Sequence, residues 1–492
     1  MNRIPAVRSL FLLLVLTLFT ACAGGSGSNT TAPLDAKNVN LIFVVSPDLA
    51  YQAPGDISPK TANLTNQGLQ RSLMMASYLK KQVLGANNVT SIYALSPMTH
   101  LQTANNYPDM TAIGYIQQFA LLNQSTFSNY TGNSFPINVA YAKGSVPDGV
   151  SVPVPGLSPD GYGTTSTGLD FKNSGGNNDK LVSGIISNNK TGYHVFSAPW
   201  DTISALMTNI NTQHGYNLNL PATYMGPNYV YAISIPSSGS ASLVTYNSNL
   251  NPPATYPVLP APVERTACTH SQQPYFSTSR TGGVDGVVVP ANINKNQRIY
   301  LVRHAEAHPD LNFKYENGSF VAAGQWRALE LANALRGKIS PNMVYSIDPA
   351  QWFPVSKTLD VSYVRPSLTI LPYAIANDLP YHLASNFSIL DPNVAQISSD
   401  FFFTGGKLSN QTVLVAWESS RIKPMINALL DSYGVSSLPH LPTDGPPKGG
   451  WPSADYDTIW TIKIDAQGNL TVDNDLCEGI DTTKLPETAP LF

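Results

Sequence analysis

Short apolar runs alternate along this chain with longer amphipathic stretches, which is the pattern of an α/β protein. Residues 40–45 and 298–302 are nearly continuous apolar runs, typical of strands that a parallel sheet buries on both faces. A stretch with helical periodicity follows each run, at 64–81 in the first half of the chain and at 321–336 in the second. The pattern predicts buried parallel strands covered by helices.

The same succession of elements occurs twice. The matched segments, first half and then second half, are 40–45 with 298–302, 64–81 with 321–336, 91–96 with 343–346, 194–201 with 412–418, and 228–235 with 455–462. The last pair predicts hairpins that turn near Gly239 and Gly468. These ordered matches predict two tandem α/β domains related by duplication, at 38–246 and 298–492. One large irregular α/β domain is the alternative.

Two stretches rich in turn-forming residues interrupt this pattern. Residues 140–189 are rich in Gly, Ser, Pro and Asn, which predicts a long surface insertion in the first half. Residues 247–297 begin with several closely spaced prolines and continue with Ser, Thr and Gly. That composition is typical of a linker between the two predicted domains.

The N-terminus carries the features of an export signal. Residues 1–21 contain two arginines, an apolar run at 10–19 and small residues before Cys22, and the run is too short to span a membrane. The segment resembles a bacterial lipoprotein signal, which implies that Cys22 is lipidated and that residues 22–37 form a flexible tether. The resemblance implies an exported protein anchored by lipid in the bacterial cell envelope, in the periplasm or at the outer membrane. An ordinary secretory signal is the alternative.

Composition and cysteine content narrow the class of protein. The 492 residues are 42% hydrophobic and 12% charged with a formal net charge of −3, so we expect no basic surface for nucleic acid. Beyond Cys22 the chain has only Cys268 and Cys477, each after the last predicted strand of one repeat. In an exported protein such an even pair predicts a disulfide.

An Arg-His pair, Arg303-His304, follows the apolar run at 298–302. Ligands of open α/β sheets bind beyond the carboxyl ends of such strands, which predicts that this imidazole lies at a site. A neutral imidazole is nucleophilic near neutral pH, and the guanidinium groups of Arg303 and Arg365 are suited to phosphate oxygens. Phosphoryl transfer depends mainly on such positioning and charge neutralisation, so this chemistry requires no metal or other cofactor.

The string Arg303-His304-Ala305-Glu306 resembles the strand end of the histidine phosphatase (phosphoglycerate mutase-like) superfamily. The helix at 324–332 and the segment at 363–369, which contains Arg365, resemble two further motifs of that family. The resemblance covers about residues 298–475. It implies two three-layer α/β/α domains, a phosphohistidine at His304, and a phosphorylated small molecule or phosphate as the ligand.

The second half departs from the family at its second catalytic histidine. That residue follows a late apolar strand, and here the position is held by Ser419 or, with a shorter turn, by Glu418. Serine keeps a hydrogen-bond donor but not a cationic charge, and a glutamate would repel phosphate. The nearby Arg421 could replace the missing charge. The general acid is open between Glu306 and Glu418, whereas His308 and His382 are interpreted as surface or packing residues.

The first half lacks the catalytic residues at all three positions. We align 46–48 with 303–305, so that Ser46 and Pro47 replace Arg303 and His304. We align 98–104 with the arginine segment, which puts Thr99 in place of Arg365. Trp200-Asp201 also lacks the late histidine. The first half is therefore predicted to be a non-catalytic partner.

Three functions compete at this point. The leading hypothesis is an exported phosphohydrolase that acts on an unknown phosphomonoester through a phosphohistidine at His304, with weak activity because the second histidine is missing. The alternative is a catalytically inactive pseudophosphatase or ligand-binding lipoprotein built on the same fold. A third hypothesis, a carbohydrate-binding surface protein, is based only on the low charge and the Asn-, Ser- and Thr-rich composition.

Overall fold

Two mixed β-sheets with helices packed against them organise the chain. The computed structural model describes residues 31–51, 55–124, 135–140, 168–268, 276–277, 287–307, 317–356, 359–434, 441 and 451–492. The predicted signal peptide, Cys22 and most of the predicted tether lie outside these residues. Among the described residues, no helix has the length and apolar character needed to cross a bilayer.

The first sheet has six strands in the order β5-β2-β6-β1-β7-β8. Its central strand β1 pairs in parallel with β6 and antiparallel with β7, and every residue of β1 is buried. The elements of this part are β1 Val39–Val45, α1 Asn66–Tyr78, β2 Ser91–Ala94, β3 Leu101–Gln102, β4 Tyr107–Pro108, α2 Thr111–Leu121, β5 Ile137–Asn138, α3 Asn177–Ser187, β6 Gly192–Ala198, α4 Trp200–His214, β7 Tyr229–Ile235 and β8 Ser242–Asn247.

The second sheet has seven strands in the order β14-β11-β15-β10-β16-β17-β9. Its central strand β10 pairs in parallel with β15 and antiparallel with β16. The elements are β9 Phe276–Ser277, β10 Gln297–Arg303, α5 Ala322–Ala334, β11 Met343–Ile347, β12 Trp352–Ser356, β13 Leu359–Ser362, α6 Arg365–Ala376, β14 Tyr381–Ala384, α7 Val394–Phe403, β15 Thr412–Trp417, α8 Ser419–Ser432, β16 Thr458–Ile464 and β17 Leu470–Cys477.

Both sheets share one order of six strands. In each, the first long strand lies between a parallel partner that leads into a helix and an antiparallel partner that begins a hairpin. The hairpin glycines Gly239 and Gly468 both have positive φ angles, which a residue without a Cβ adopts without strain. The mixed α/β fold expected from the sequence is therefore present, with two sheets of matching topology.

A buried arginine holds the loop after the central strand in each half. Arg71 of α1 donates from Nε to Asp56 at 2.6 Å, and Arg327 of α5 donates from Nε to Glu306 at 2.8 Å. The backbone carbonyls of Asp56 and Glu306 accept from the N-cap residues Thr65 and Val321. The same constellation therefore fixes the start of the first helix in both halves.

A glycine makes this loop-to-helix contact sterically possible. Gly68 and Gly324 are each the third residue of their helix. A Cβ on Gly68 would lie 2.1 Å from the carbonyl oxygen of Asp56, and one on Gly324 would lie 2.9 Å from that of Glu306. Any side chain here would force the loop away from the helix.

The two halves pack closely against each other through buried residues. Residues Pro33–Phe492 form one compact unit, and one apolar cluster contains residues from both sheets. Ser362 Oγ accepts hydrogen bonds from the backbone N–H groups of Val139 and Ala140, both at 3.0 Å. A Cβ on Gly114 of α2 would lie 2.7 Å from Leu371 of α6, which shows how closely these helices pack.

The predicted insertion contains regular secondary structure, whereas the first part of the predicted linker does not. Within the predicted insertion at 140–189, the helix α3 buries Val182 and Ile185 and packs against α4, so this part is not an open loop. Apolar residues are few in the stretch 140–189 as a whole, so its composition does not predict this helix. Residues 248–268 of the predicted linker contain no helix or strand, and the Tyr256 hydroxyl donates to the carbonyl of Leu329 at 2.7 Å.

A disulfide joins the predicted linker to the second sheet. Cys268 is bonded to Cys477, the last residue of β17, with their Cα atoms 5.7 Å apart. The bridge spans 209 residues of sequence. It therefore ties the connection between the halves to the end of the last hairpin.

Candidate functional site

Arg303 and His304 lie at the carboxyl end of the central strand β10. Arg303 is the last residue of the strand, and the backbone N–H of His304 donates to the carbonyl of Trp417 at the end of β15. Arg303 is 5% exposed and His304 3% exposed. Both side chains are thus held inside the edge of the sheet where open α/β folds bind ligands.

The orientation of His304 determines which ring nitrogen carries its lone pair. Nδ1 lies 2.9 Å from the carbonyl oxygen of Ala305. A carbonyl only accepts hydrogen bonds, so Nδ1 carries the proton and Nε2 bears the lone pair of the neutral imidazole. The rings of Tyr363 and Tyr456 lie 6.3 and 6.4 Å from the imidazole, both edge-on.

Arg303 is held by backbone carbonyls and an aromatic ring. Its Nη1 donates to the carbonyls of Pro452, Ser453 and Asp455, and its Cζ lies 3.9 Å from the centre of the Tyr456 ring. No ion pair to Arg303 occurs within the part of the chain that the structure describes. Its buried Nε has no hydrogen-bond partner there either. The guanidinium keeps its positive charge and an unused donor.

Arg365 joins the same group from a different element. It is the first residue of α6, is 1% exposed, and places Cζ 4.9 Å from the Tyr363 ring that also borders His304. One turn later, Thr369 Oγ1 accepts from the N–H of Ala305 at 2.8 Å. This bond ties α6 to the loop that presents His304. The structure thus brings His304, Arg303 and Arg365 together around two shared tyrosines.

The turn after β15 contains no histidine. Ser419 is the first residue of α8 and is 3% exposed, with Oγ 3.4 Å from Glu418. Glu418 precedes the helix and also accepts from the hydroxyl of Ser420. Arg421, with its side chain 38% exposed, lies 4.0 Å from the Glu418 carboxylate. Arg421 is therefore engaged at the surface with Glu418, one helical turn away.

Glu306 belongs to a buried ion-pair network. Both of its carboxylate oxygens accept from Nε of Arg327, which is fully buried, and Nη1 of the same arginine donates to Glu478. Burial raises the pKa of Glu478 to about 8, and the charge of Arg327 only partly opposes this shift. Protonating Glu306 would weaken two charge-assisted hydrogen bonds, which disfavours it as a general acid.

The counterpart of Glu306 supports this structural interpretation. Asp56 makes the same pair with Arg71 in the half that has no His304. A carboxylate that occurs in the same constellation without a histidine at the strand end serves the fold. His382 packs between Tyr107 and Tyr345, as expected of a packing residue, and His308 lies outside the described residues.

Asp348 is a buried carboxyl group at this sheet edge that the sequence analysis missed. It follows β11 directly, is fully buried, and uses Oδ1 to accept from the N–H of Ala350. Burial raises its pKa to about 7, and its Oδ2 has no hydrogen-bond partner among the described residues. An Asp-Pro pair directly after a buried strand is the signal that could have identified it.

The ladder register corrects the alignment of the two halves at the first motif. Val39 pairs with Ile235 and Gln297 pairs with Ile464 at corresponding positions of the two sheets. Ser46 therefore corresponds to His304, one residue away from the alignment made on sequence, because short apolar runs do not fix their own register.

The arginine segment needs a larger correction. Residues Pro97–Thr99 form a single 3₁₀ turn before the short strands β3 and β4. The helix α2 that corresponds to α6 begins only at Thr111, so Thr111 and not Thr99 holds the place of Arg365. The conclusion that the first half lacks this arginine is unchanged.

In place of this chemistry, the first sheet gathers Asp48, His100 and Asp109 at its corresponding edge. His100 Nε2 lies 2.6 Å from Asp48 Oδ2, and one donor atom of each of the three residues lies within 4.8 Å of the others. Burial raises the pKa of Asp109 to about 6, although the charge of His100 and a hydrogen bond from Thr111 oppose this shift. The pKa of His100 is raised by its neighbouring carboxylates, against the effect of burial.

Comparisons with known proteins return only distant similarities. No protein-family model matches the chain, and no curated protein matches it. Among solved structures, a phosphoserine phosphatase from Entamoeba histolytica is 17% identical over 36% of this chain and 96% of its own, with a TM-score of 0.23. A phosphoglycerate mutase from Plasmodium falciparum is 13% identical over 38% and 94%, with a TM-score of 0.21. The protein histidine phosphatase SixA with tungstate is 17% identical over 37% and 97%, with a TM-score of 0.20.

The structural role of Glu306 predicts the effect of Glu306→Gln. We expect a loss of about 1–3 kcal/mol in the free energy of unfolding, because one charge-assisted contact with Arg327 becomes a neutral one. Phosphomonoester hydrolysis should change less than about threefold, whereas removing a general acid would lower it about 100-fold or more. Urea unfolding and initial rates measure the two effects.

Asp56→Asn is the matched control for this experiment, since it weakens the same constellation away from His304. We expect a comparable loss of stability from it. A Glu306→Gln variant with unchanged stability but a large loss of hydrolysis would show that Glu306 acts in the chemistry.

Burial of Asp348 predicts a stability that falls as pH rises. Because its folded pKa of about 7 exceeds the ordinary value of 3.8, the folded state binds more protons than the unfolded state between these pH values. The contribution is fully present below about pH 4 and is lost as pH rises through about 7. In Asp348→Asn this loss should be absent, so the stability difference from the wild type should change by roughly 2–4 kcal/mol between pH 4 and pH 8.

The measurement is urea unfolding of both proteins across this pH range. The substitution can change the free energy of unfolding by a constant amount at every pH, and such a constant difference does not affect how the stability changes with pH. Parallel stability profiles for the two proteins would show that folding does not raise the pKa of Asp348.

Proposed function

We propose that the second half is a phosphohydrolase that works through a phosphohistidine at His304. The observation that carries the proposal is the hydrogen bond between His304 Nδ1 and Ala305, which leaves the Nε2 lone pair as the nucleophile beside two buried arginines. The motif resemblance and the phosphatases and mutase among the compared structures agree with it. The substrate class is a phosphomonoester.

The proposed reaction has two steps. In the first, Nε2 of His304 attacks phosphorus, the N–P bond forms, the ester P–O bond breaks, and the leaving oxygen takes a proton. In the second, water attacks phosphorus, the N–P bond breaks, and phosphate leaves with the imidazole restored. Arg303 and Arg365 hold the phosphoryl oxygens and neutralise their charge, so the residues themselves supply what a metal provides elsewhere.

Glu418 is the proposed source of the proton for the leaving group. Of the two carboxylates considered from sequence, Glu306 is engaged with Arg327, whereas Glu418 lies at the carboxyl end of β15 with its side chain 14% exposed. Among the residues that the structure describes, Glu418 accepts hydrogen bonds only from serine hydroxyls, so protonating it breaks no buried ion pair there. Its place at the start of α8 puts it beside Ser419.

A serine at position 419 predicts either slow turnover or none. A serine at the start of α8 can donate one neutral hydrogen bond to phosphate, without the positive charge of an imidazolium. Loss of one donor of this kind costs about a hundredfold to a thousandfold in turnover. The alternative proposal is therefore a pseudophosphatase that binds phosphate compounds and does not turn them over.

We further propose that the two halves arose by tandem duplication and that the first half lost the phosphoryl chemistry. Two observations support this: the shared strand order and the pairs Arg71–Asp56 and Arg327–Glu306 at corresponding places. An experimental structure in which the sheets do not superpose strand for strand would contradict it.

Export and lipid anchoring at Cys22 are proposed from the sequence of residues 1–22. The disulfide between Cys268 and Cys477 supports an oxidising compartment, where such bonds persist. On expression in a bacterial host, we expect the wild type in the membrane fraction and Cys22→Ser outside it, with intact mass spectrometry showing acyl chains only on the wild type. Equal distribution of both proteins between these fractions would contradict lipidation at Cys22. It would leave an ordinary secretory signal, or no export signal, as the remaining interpretations.

The test of the enzymatic proposal is hydrolysis of p-nitrophenyl phosphate with His304→Ala and Ser419→His. We expect slow release of phosphate by the wild type, background rates for His304→Ala, and a gain of about 10²–10³ for Ser419→His because it restores a cationic donor. Ser420→His is the matched control, one residue along α8, and should show no gain. Mass spectrometry of a quenched reaction should find the phosphoryl group on His304.

The outcomes separate the two proposals. Binding of orthophosphate by a wild type that releases no product, with activity appearing in Ser419→His, would favour the pseudophosphatase. Neither binding nor turnover in any of these proteins would contradict both. Turnover that survives His304→Ala would contradict the phosphohistidine step.

A further inference from the structure

The carboxyl edge of the first sheet holds ionisable side chains that the proposed phosphoryl chemistry does not use. Asp48 follows β1, His100 precedes β3, and Asp109 lies between β4 and α2. Asp48 is distant in sequence from the other two residues, yet one donor atom of each residue lies within 4.8 Å of the others. The fold therefore gathers an imidazole and two carboxylates at one point.

Local hydrogen bonds hold both carboxylates in place through one oxygen. Asp48 Oδ1 accepts from the N–H of Ala50 at 2.7 Å. Asp109 Oδ1 accepts from the N–H and the hydroxyl of Thr111, at 2.9 and 2.6 Å. The second oxygen of Asp48 is bonded to His100 Nε2 at 2.6 Å. Supporting contacts of this kind orient side chains before a ligand arrives.

The second oxygen of Asp109 is the observation that points to a ligand. Asp109 is fully buried, and its Oδ2 has no hydrogen-bond partner among the described residues. A buried carboxylate oxygen without a donor is costly, and native structures leave few such atoms unexplained. A cation within reach of this oxygen would remove the cost.

The surroundings are rich in negative charge. The carboxylates of Asp48, Asp109 and Asp201 all act on His100, and Asp201 accepts from the Tyr51 hydroxyl at 2.6 Å. No lysine or arginine of the described segments forms an ion pair with these three carboxylates. The His100 ring stacks on Phe171, with ring centres 3.7 Å apart, which fixes the plane of the imidazole.

We infer that Asp48, His100 and Asp109 form a binding site for a divalent transition-metal ion such as Zn²⁺ or Mn²⁺. One nitrogen and two oxygen donors suit these ions, whereas Ca²⁺ and Mg²⁺ favour sites built from oxygen alone. Ligands about 2.0–2.2 Å from a metal lie roughly 3 Å or more apart, so Asp48 and His100 need to separate by only a few tenths of an ångström. The ion replaces the proton that these two residues share, and that proton leaves to solvent.

This site lies where the second sheet carries His304. Three protein ligands leave at least one coordination position for water or an anionic ligand. The first half would thus have exchanged a phosphate-binding edge for a cation-binding edge on the same scaffold. The inference does not depend on turnover at His304, so either proposal can fail without the other.

The test is titration of the purified, EDTA-treated protein with ZnCl₂ and MnCl₂ by calorimetry, followed by elemental analysis after gel filtration. We expect the wild type to retain one ion of at least one of these metals. Asp109→Asn and His100→Gln should each weaken binding at least tenfold. His194→Gln is the matched control, because His194 is a buried histidine of the first sheet that bonds to Ser91 and Lys190 instead of carboxylates.

A wild type that retains neither ion would overturn the inference. Retention of one ion that is unchanged in both Asp109→Asn and His100→Gln would place the ion elsewhere and overturn it equally. Circular dichroism and thermal unfolding establish whether each variant is folded. If a variant does not fold, anomalous diffraction from metal-soaked wild-type crystals decides: a peak between Asp48, His100 and Asp109 supports the site, and its absence there refutes it.

Discussion

The buried pair between Arg327 and Glu306 is the constraint on which the presentation of His304 depends. Glu306 is two residues beyond His304, and Arg327 ties it to α5 and, through Glu478, to the end of the last hairpin. Ion pairs of this kind contribute little net stability, but losing Arg327 would cost about 3–5 kcal/mol because two buried carboxylates would be left without their partner. The loop after β10 therefore has one favourable position relative to its helix.

The first half has a corresponding buried ion pair, but different side chains lie at the edge of its sheet. Arg71 and Asp56 fix the loop after β1 against α1, as Arg327 and Glu306 do after β10. At the second edge the scaffold presents two buried guanidinium groups, and at the first it presents carboxylates around His100. One scaffold thus carries edges of opposite charge, in keeping with the anionic ligand proposed for one edge and the cation proposed for the other.

Burial decides the chemistry of individual side chains more than their distance in sequence from a motif. Glu306 is two residues from His304 in sequence, but its oxygens are occupied by Arg327. Asp348 is 44 residues from His304, yet burial at the same sheet edge raises its pKa to about 7. Sequence reasoning selected the first and missed the second, because proximity along the chain does not report which neighbours a folded carboxyl group meets.

The sequence by itself determined the α/β class, the order of the matched strands and helices, and the Arg303-His304 strand end. These depend on local apolar periodicity and on one motif, which are properties of neighbouring residues. Only the tertiary structure decided the register that sets Ser46 opposite His304 and the helix start that sets Thr111 opposite Arg365. It alone also gathered Asp48, His100 and Asp109. Strand pairing and side-chain convergence join residues that are far apart in the chain, so no local pattern specifies them.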